Sequence, residues 1–267
     1  MNVRTLKSYC RVWYRLTVQQ FETQIANSRG AALLFILGKL FRLGSAFLLI
    51  YIIVGRAREL AGYNLSQAIF ILALFNLVSS ITQLFMRGIY LFRQKIVDGT
   101  FDFYLLNPLS ELFYSLFSYT DPMDLTLLFP YIGITVWAWA GTGYPLTVLS
   151  IVLVFFAVII AFIFAVSWHI IILGTGIRYL EVDNTIMLYR DLEKMASYPT
   201  NMYGKLGSSV LTYFFPFALM ATIPANLVFS LMSPWMLLFF AGLALLALKF
   251  ALWFWHRSLR YYSSASS

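Results

Sequence analysis

The chain has 267 residues, 61% of them hydrophobic and only 11% charged, with a formal net charge of +8. A soluble globular domain carries about 45–50% apolar and about 25% charged residues, so a soluble enzyme, a disordered protein and a disulfide scaffold are excluded and a polytopic membrane protein is indicated. One cysteine, Cys10, and two histidines supply neither an intrachain disulfide nor a zinc site of the usual kind.

No secretory signal is expected, because the first sustained apolar run begins near Ala31, after five basic residues. Residues 4–28 are too polar to span. Leu6, Cys10, Trp13, Tyr14, Thr17, Val18, Phe21 and Ile25 recur at helical spacing, with Arg4, Lys7, Arg11 and Arg15 interleaved. That pattern predicts an amphipathic helix over 1–29 lying at the membrane surface; the alternative is a polar tail leading into the first span. A spanning helix needs about 20 mostly apolar residues. Runs of this kind are expected at 31–54, 66–86, 124–140, 146–173, 209–231 and 235–255, in a single domain over 1–267.

Six spans put both termini on one side. With the N-terminus inside, inner segments hold 14 of the 19 basic residues and outer loops only Arg56 and Arg58. The positive-inside rule therefore predicts an N-in, C-in orientation and accounts for the basic balance without nucleic acid. The inner loops 87–123 and 174–208 are long, and nine of the eleven acidic residues lie in or beside them, so the polar recognition surface is expected to face the cytoplasm. Asn64-Leu65-Ser66 in an outer loop is a formal glycosylation sequon.

The first inner loop contains IVDGTFDFYLLNP, residues 96–108. Asp98-Gly99-Thr100 is a turn in which Gly99 can take positive φ. Thr100 or Asp98 caps a short helix through Phe101, Phe103, Tyr104 and Leu105, and Asn107-Pro108 stops it. An aromatic-rich helix exposed between two spans either docks into a partner or lies in lipid headgroups, and physics alone leaves both open. In the second inner loop Arg190, Asp191, Glu193 and Lys194 share about one helical turn, which reads as a solvated extension of the fourth span or as a subunit contact.

Pro216 and Pro224 interrupt the fifth span, since each removes a backbone hydrogen bond. One proline would only kink a helix. Two, with Asn226 following, favour a helix that ends and a re-entrant piece at 225–233, as in transport pathways. The sequence contains no phosphate-binding loop, no dinucleotide fingerprint and no HExxH. His169 and His256 each stand alone near a span end and read as interfacial or capping residues. Any uphill transport must draw its power from another polypeptide.

Three segments together resemble the ABC-2 type permeases, specifically six-span ABC-2 family transporter proteins. In the first inner loop Gly99, Asp102, Leu105 and Pro108 match that family's pattern. Tyr198-Pro199, Tyr203, Pro216 and Ile223-Pro224-Ala225 form the second segment, and the ending from Arg260 to Ser267 the third. The resemblance implies an all-α integral membrane fold with six transmembrane helices, an N-terminal interface helix and a cytoplasmic coupling helix. It implies a permease that pairs with a second permease chain, identical or paralogous, and with two ATP-binding cassette ATPase subunits that bind ATP and Mg, this chain itself holding no cofactor or metal. By that analogy Asp98, Gly99, Thr100, Phe101, Asp102, Phe103, Tyr104 and Leu105 form the coupling helix, and Arg11 and Arg15 are second ATPase contacts.

The implied activity is export of an amphipathic or lipid-like substrate from the cytoplasm or inner leaflet, in a bacterial inner membrane. Lys39 and Arg42 in the first span depart from the family's usual apolar character. An isolated charge at bilayer centre costs about 2.5–3.5 kcal/mol on the insertion scale. The two either line a pathway for an anionic substrate, with Pro216, Pro224 and Asn226, or mark a deep cytoplasmic start to the helix; the second is favoured, because both lie in the inner half. Rival readings are a non-transporting assembly subunit and a membrane enzyme using His169.

Overall fold

A computed structural model describes residues 3–27 and 29–263; the expected ending at 264–267 lies outside the described residues. Hydrocarbon offers no partner to a backbone N–H or C=O, so an apolar run crosses a membrane only with its hydrogen bonds closed inside helices. The described elements are accordingly helical, and the one bridge, Leu60 with Tyr63, closes a turn.

Helices α1 (Val3–Asn27) and α2 (Arg29–Ala57) lead to α3 (Leu65–Met86). Asn64 begins α3 with a capping box: its side chain accepts from the Gln67 N–H, and the Gln67 side chain accepts from the Asn64 N–H, both at 3.0 Å. A 3₁₀ turn over Arg87–Leu91 leads into three short helices, α4 (Phe92–Val97), α5 (Thr100–Leu106) and α6 (Glu111–Phe117). Then come α7 (Pro122–Gly141), α8 (Val148–Tyr179), α9 (Val182–Met195), α10 (Gly204–Ser209), α11 (Thr222–Val228) and α12 (Met236–Leu259).

Among the described residues four stretches, not six, are long and apolar enough to cross a membrane: Leu33–Ala57, Leu65–Val97, Val148–Tyr179 and Met236–Leu259. They mark an all-α membrane protein. The third expected span corresponds to α7, 20 residues long and diluted by Asp124 and Pro130. The fifth is not one helix. After α10 a π turn over Val210–Phe214 ends at Phe215, whose N–H reaches back to the Val210 carbonyl, and Pro216 stops the ladder. A 3₁₀ turn over Phe217–Met220 and then α11 follow. Pro224 breaks nothing: it is the third residue of α11, in the first turn, where a missing N–H leaves no intrahelical bond unmade. The short piece therefore spans Thr222–Val228 and ends at a left-handed Ser230, rather than running from 225 to 233.

Two pairings organise the bundle, α8 along α12 and α3 along α7. The first is a close approach at Gly174, where a Cβ would stand 2.7 Å from the Phe254 ring and 3.1 Å from Ser258 Oγ. One turn on, Arg178 Nε donates to Ser258 Oγ at 3.0 Å and the guanidinium lies over Phe254 and Tyr261. Because α8 continues to Tyr179, His169 is not at a helix end. It is fully buried, with Nδ1 2.8 Å from the Ala165 carbonyl and its ring edge-on to Tyr189.

Nor is α9 a solvated extension of α8. Leu180 takes left-handed φ of 56°, the chain reverses, and the amphipathic α9 buries Val182, Ile186, Tyr189, Arg190 and Glu193. Only Asp191 and Lys194 of its mixed-charge turn stay exposed.

Replacing Gly174 by Ala is expected to wedge α8 from α12 at a cost of about 1–3 kcal/mol, the usual penalty of overpacking. Thermal unfolding of the detergent-solubilised protein measures it, and Gly242→Ala, at a position open to nothing within 4 Å, serves as the silent control.

Candidate functional site

The loop between α3 and α7 is anchored on one face and bare on the other. Gly99 sits at φ 76°, and the Asp98 carboxylate accepts from the Thr100 N–H at 2.9 Å, so Asp98, not Thr100, supplies the turn's hydrogen bond. The Thr100 hydroxyl and amide hold the Asp98 carboxyl below its ordinary range. From this start Phe101 points inward and is wholly buried. Its ring meets Phe92 at 5.3 Å, Tyr262 at 5.0 Å and Trp255 at 6.3 Å, all edge-on.

Polar groups reinforce that anchor. The Tyr262 hydroxyl donates to Asp102 Oδ1 at 2.8 Å, and Trp255 Nε1 donates to Glu111 Oε1 at 3.0 Å. Burial, then the Asp102 hydrogen bond and charge, push the Tyr262 phenol up to about 12. Lys95 Nζ donates to the Tyr104 hydroxyl at 2.5 Å and to Ser118 Oγ at 3.0 Å, tying α4 to α5 and to the end of α6. On the opposite face Phe103 and Leu106 are exposed, Leu106 at 81%, and Leu105 at the end of the helix is partly exposed as well. The loop thus joins an apolar ridge to a rigid base on α12.

Helix α1 docks beside this loop. Tyr9, Trp13 and Thr17 recur every four residues and face it. Tyr9 packs edge-on to Phe113 at 4.7 Å and accepts from the Ser110 N–H, while Trp13 Nε1 and Thr17 Oγ1 both donate to Thr120 Oγ1. Arg11 and Arg15 occupy the other face and are exposed.

Lys39 and Arg42 have different surroundings. Lys39 pairs with Asp124, which also accepts from Arg87 Nε at 3.1 Å, and Arg87 Nη1 meets Asp121 at 2.9 Å. Both cations lie over the Phe35 ring. This buried network clamps α2 to α7 and to the end of α3, so Lys39 is neutralised within the fold. Among the described residues Arg42, less than one turn on, has no ion pair or hydrogen bond. It faces a cavity of about 330 Å³ bounded by α2, α3, α7 and α9. Arg190 of α9 lines it as well, with Nη1 2.6 Å from Glu193 Oε2 and Nε 2.9 Å from the Tyr90 hydroxyl. Burial draws the Arg190 guanidinium down, and the Glu193 carboxylate beside it more than reverses this, so it stays charged.

The broken segment borders a second cavity, of about 440 Å³, lined by hydroxyl side chains including Thr200, Ser208, Thr212 and Thr222. Asn226 reaches it and accepts from the Tyr63 hydroxyl at 2.6 Å; Pro216 and Pro224 shape the backbone but do not line it. Asn226 therefore faces a different cavity from Arg42, and the five expected pathway residues do not form one site.

Sequence reasoning missed the polar stripe of α3. Asn76, Ser79, Ser80 and Gln83 follow helical spacing inside an apolar span, a readable signal, and all four line the 330 Å³ cavity. It also missed the roles of Asp121 and Asp124, which in sequence are only two acids at a span's edge; their partners are 34 and more residues away.

A family described as ABC-2 family transporter protein matches residues 40–266 of the chain. No curated protein and no solved structure matches.

Asp124 serves two cations, whereas Lys39 shares its carboxylate with Arg87. Asp124→Asn is accordingly expected to destabilise by about 3–5 kcal/mol, the cost of stranding buried charge, and Lys39→Met by clearly less. Melting of the two purified variants in detergent checks the order, and equal losses would refute the shared-carboxylate account.

Proposed function

The chain belongs to the ABC-2 family transporter proteins, and from that premise we propose that it is the membrane-spanning permease of an ATP-driven exporter of amphipathic or lipid-like substrates. Family membership carries with it association with an ABC ATPase subunit. The proposal adds the arrangement: two ATPase subunits holding ATP and Mg, and a second permease chain, identical or paralogous. The whole chain acts as one transmembrane domain in a bacterial inner membrane. Its termini are cytoplasmic, supported by the 14 basic residues assigned to inner segments. In this reading α7 and the broken stretch from α10 to α11 complete six crossings with the four long apolar helices.

The observation that carries the reading is the two-faced α5. Its outer face presents Phe103 and Leu106, a ridge of the kind that seats in a partner's groove, and exposed Arg11 and Arg15 extend the surface. Its inner face holds Phe101 against Phe92 and Trp255, with Asp102 bonded to Tyr262. A close-packed contact of this kind moves as a body. When ATP closes the ATPase dimer, displacement of α5 passes through Phe101 to α12 and, through the Gly174 crossing, to α8. The spans thereby alternate between inward and outward access. Gly99 is the pivot, because its left-handed φ lets the chain turn sharply between α4 and α5.

Purification of the tagged chain from its native membranes in mild detergent, with mass spectrometry of what stays bound, tests the reading. A stoichiometric ATPase carrying a phosphate-binding loop is expected. Recovery of the chain with no ATPase would turn the assignment toward an assembly subunit. Phe103→Asp with Leu106→Asp is expected to weaken ATPase retention by about thirtyfold, the loss typical of an interface hot spot, with membrane insertion unchanged. Tyr262→Phe keeps the ATPase bound but is expected to lower substrate-stimulated ATP hydrolysis, since it removes the Asp102 hydrogen bond that stiffens the seat of α5 without touching the outer ridge.

A further inference from the structure

The cavity among α2, α3, α7 and α9 has a polarity gradient along the helix axes. Helices α2 and α3 are consecutive and antiparallel, so Lys39 on α2 is level with the Gln83 end of α3 and Ala46 with the Leu72 end. One end of the cavity carries Arg42, Arg190 and the α3 residues Ser79, Ser80 and Gln83; the other carries Leu43, Ala46, Leu72 and Phe75, with Asn76 beside them donating to the Leu72 carbonyl. Two features of the polar end lack partners within the fold. Arg42, exposed although it lines the cavity, has no ion pair or hydrogen bond among the described residues. Arg190, a side chain nine-tenths buried, leaves Nη2 without an acceptor, and the neighbouring Glu193 leaves Oε1 without a donor.

The cation balance gives the sign of what is missing. Lys39 is spent on Asp124, and Lys194 on the exposed Asp191. Arg190 is offset by Glu193, which leaves Arg42 as the uncompensated charge at the cavity. An unpaired guanidinium at membrane depth requires an anion or water, and an unfilled guanidinium N–H in a low-dielectric pocket forms its strongest bonds with carboxylate or phosphate oxygens.

We propose that this cavity binds an anionic amphiphile, with a phosphate or carboxylate head held by Arg42 and Arg190 and an apolar body lying along Leu43, Ala46, Leu72 and Phe75. The proposal deepens the permease reading by giving its substrate a charge and a site within one protomer, and it rests on that reading only for its purpose. The same chemistry belongs to a resident membrane phospholipid and to a solute in transit.

Equilibrium binding of radiolabelled decyl phosphate to the permease alone in phosphatidylcholine nanodiscs, corrected for empty discs, is the test. Saturable binding is expected, weakened about tenfold or more by Arg42→Gln, which removes one charge-assisted contact, and restored by Arg42→Lys. Ala46→Trp, which fills the apolar end, is expected to abolish it with Arg42 intact. Decyl maltoside and inorganic phosphate, each carrying half of the recognition, are expected not to compete. Wild-type binding by Arg42→Gln, or competition by either half-probe as strong as by decyl phosphate, would overturn the proposal. Phospholipid analysis of chain extracted in neutral detergent separates the sources. Anionic lipid held by the wild type and lost in Arg42→Gln identifies a resident lipid, and decyl phosphate binding with no retained lipid identifies a solute. Because no ATPase takes part, absence of an ATPase partner would defeat the exporter reading and leave this result standing.

Discussion

The carboxylate of Asp124 is the constraint on which the membrane part depends. Helix α2 contributes little apolar burial of its own, and most of its surface faces outward. Its position is set where Lys39 meets Asp124, and Asp124 in turn holds Arg87 at the junction between α3 and the loop that follows. A buried carboxylate shared by two cations works as a register device: shifting α2 by one turn would strand a charge at a site that cannot solvate it. With that register, the exposed Arg42 lines a cavity. A structural ion pair and an unspent cation thus arise from the same helix, three residues apart.

A second consequence follows on the far side of Arg87. The 3₁₀ turn and α4 carry the clamp's position to Phe92, whose ring meets both Phe101 and Trp255. Gly88 allows this turn to lie against α6, where a Cβ would be 3.2 Å from the Ser115 carbonyl. The loop between α3 and α7 is therefore a rigid connector between the two helix pairs and not a tether. Its outer ridge of Phe103 and Leu106 carries the loop's most exposed apolar side chains, which is the physical sense in which it is available to a partner.

The broken stretch between α10 and α12 solves a different problem. Backbone without a continuous helix is tolerated at membrane depth only where protein or a wet cavity satisfies it. Here the 3₁₀ turn at Phe217–Met220 and α11 are almost wholly buried, packed on α8, and the hydroxyl-lined cavity beside them receives the remaining polar side chains. The aromatic stack of Phe215, Phe217, Trp168 and Tyr189 covers the break from the α9 side. The two cavities are therefore separate features, one beside a clamp of charges and one beside a broken helix.

What the sequence determined by itself is what depends on local composition and spacing. Apolar runs of sufficient length specify helices wherever water is absent, so the membrane class was legible from 61% hydrophobic residues, and the turn at Gly99 with its short aromatic helix from four adjacent residue types. The α3 stripe of Asn76, Ser79, Ser80 and Gln83 was open to the same reading, because one helix suffices to display it, but it was missed. Only the tertiary structure decided the rest. Whether Lys39 is paired or pathway-lining depends on Asp124, 85 residues away. Whether Arg190 and Glu193 are solvated depends on a reversal at Leu180, a residue with no intrinsic preference for left-handed φ. Whether Pro224 breaks a helix depends on where the preceding break at Phe215 resets the first turn. In each case the residue type was visible, but its role is a sum over neighbours that are distant in the chain, and burial energy, not local preference, chose among the options.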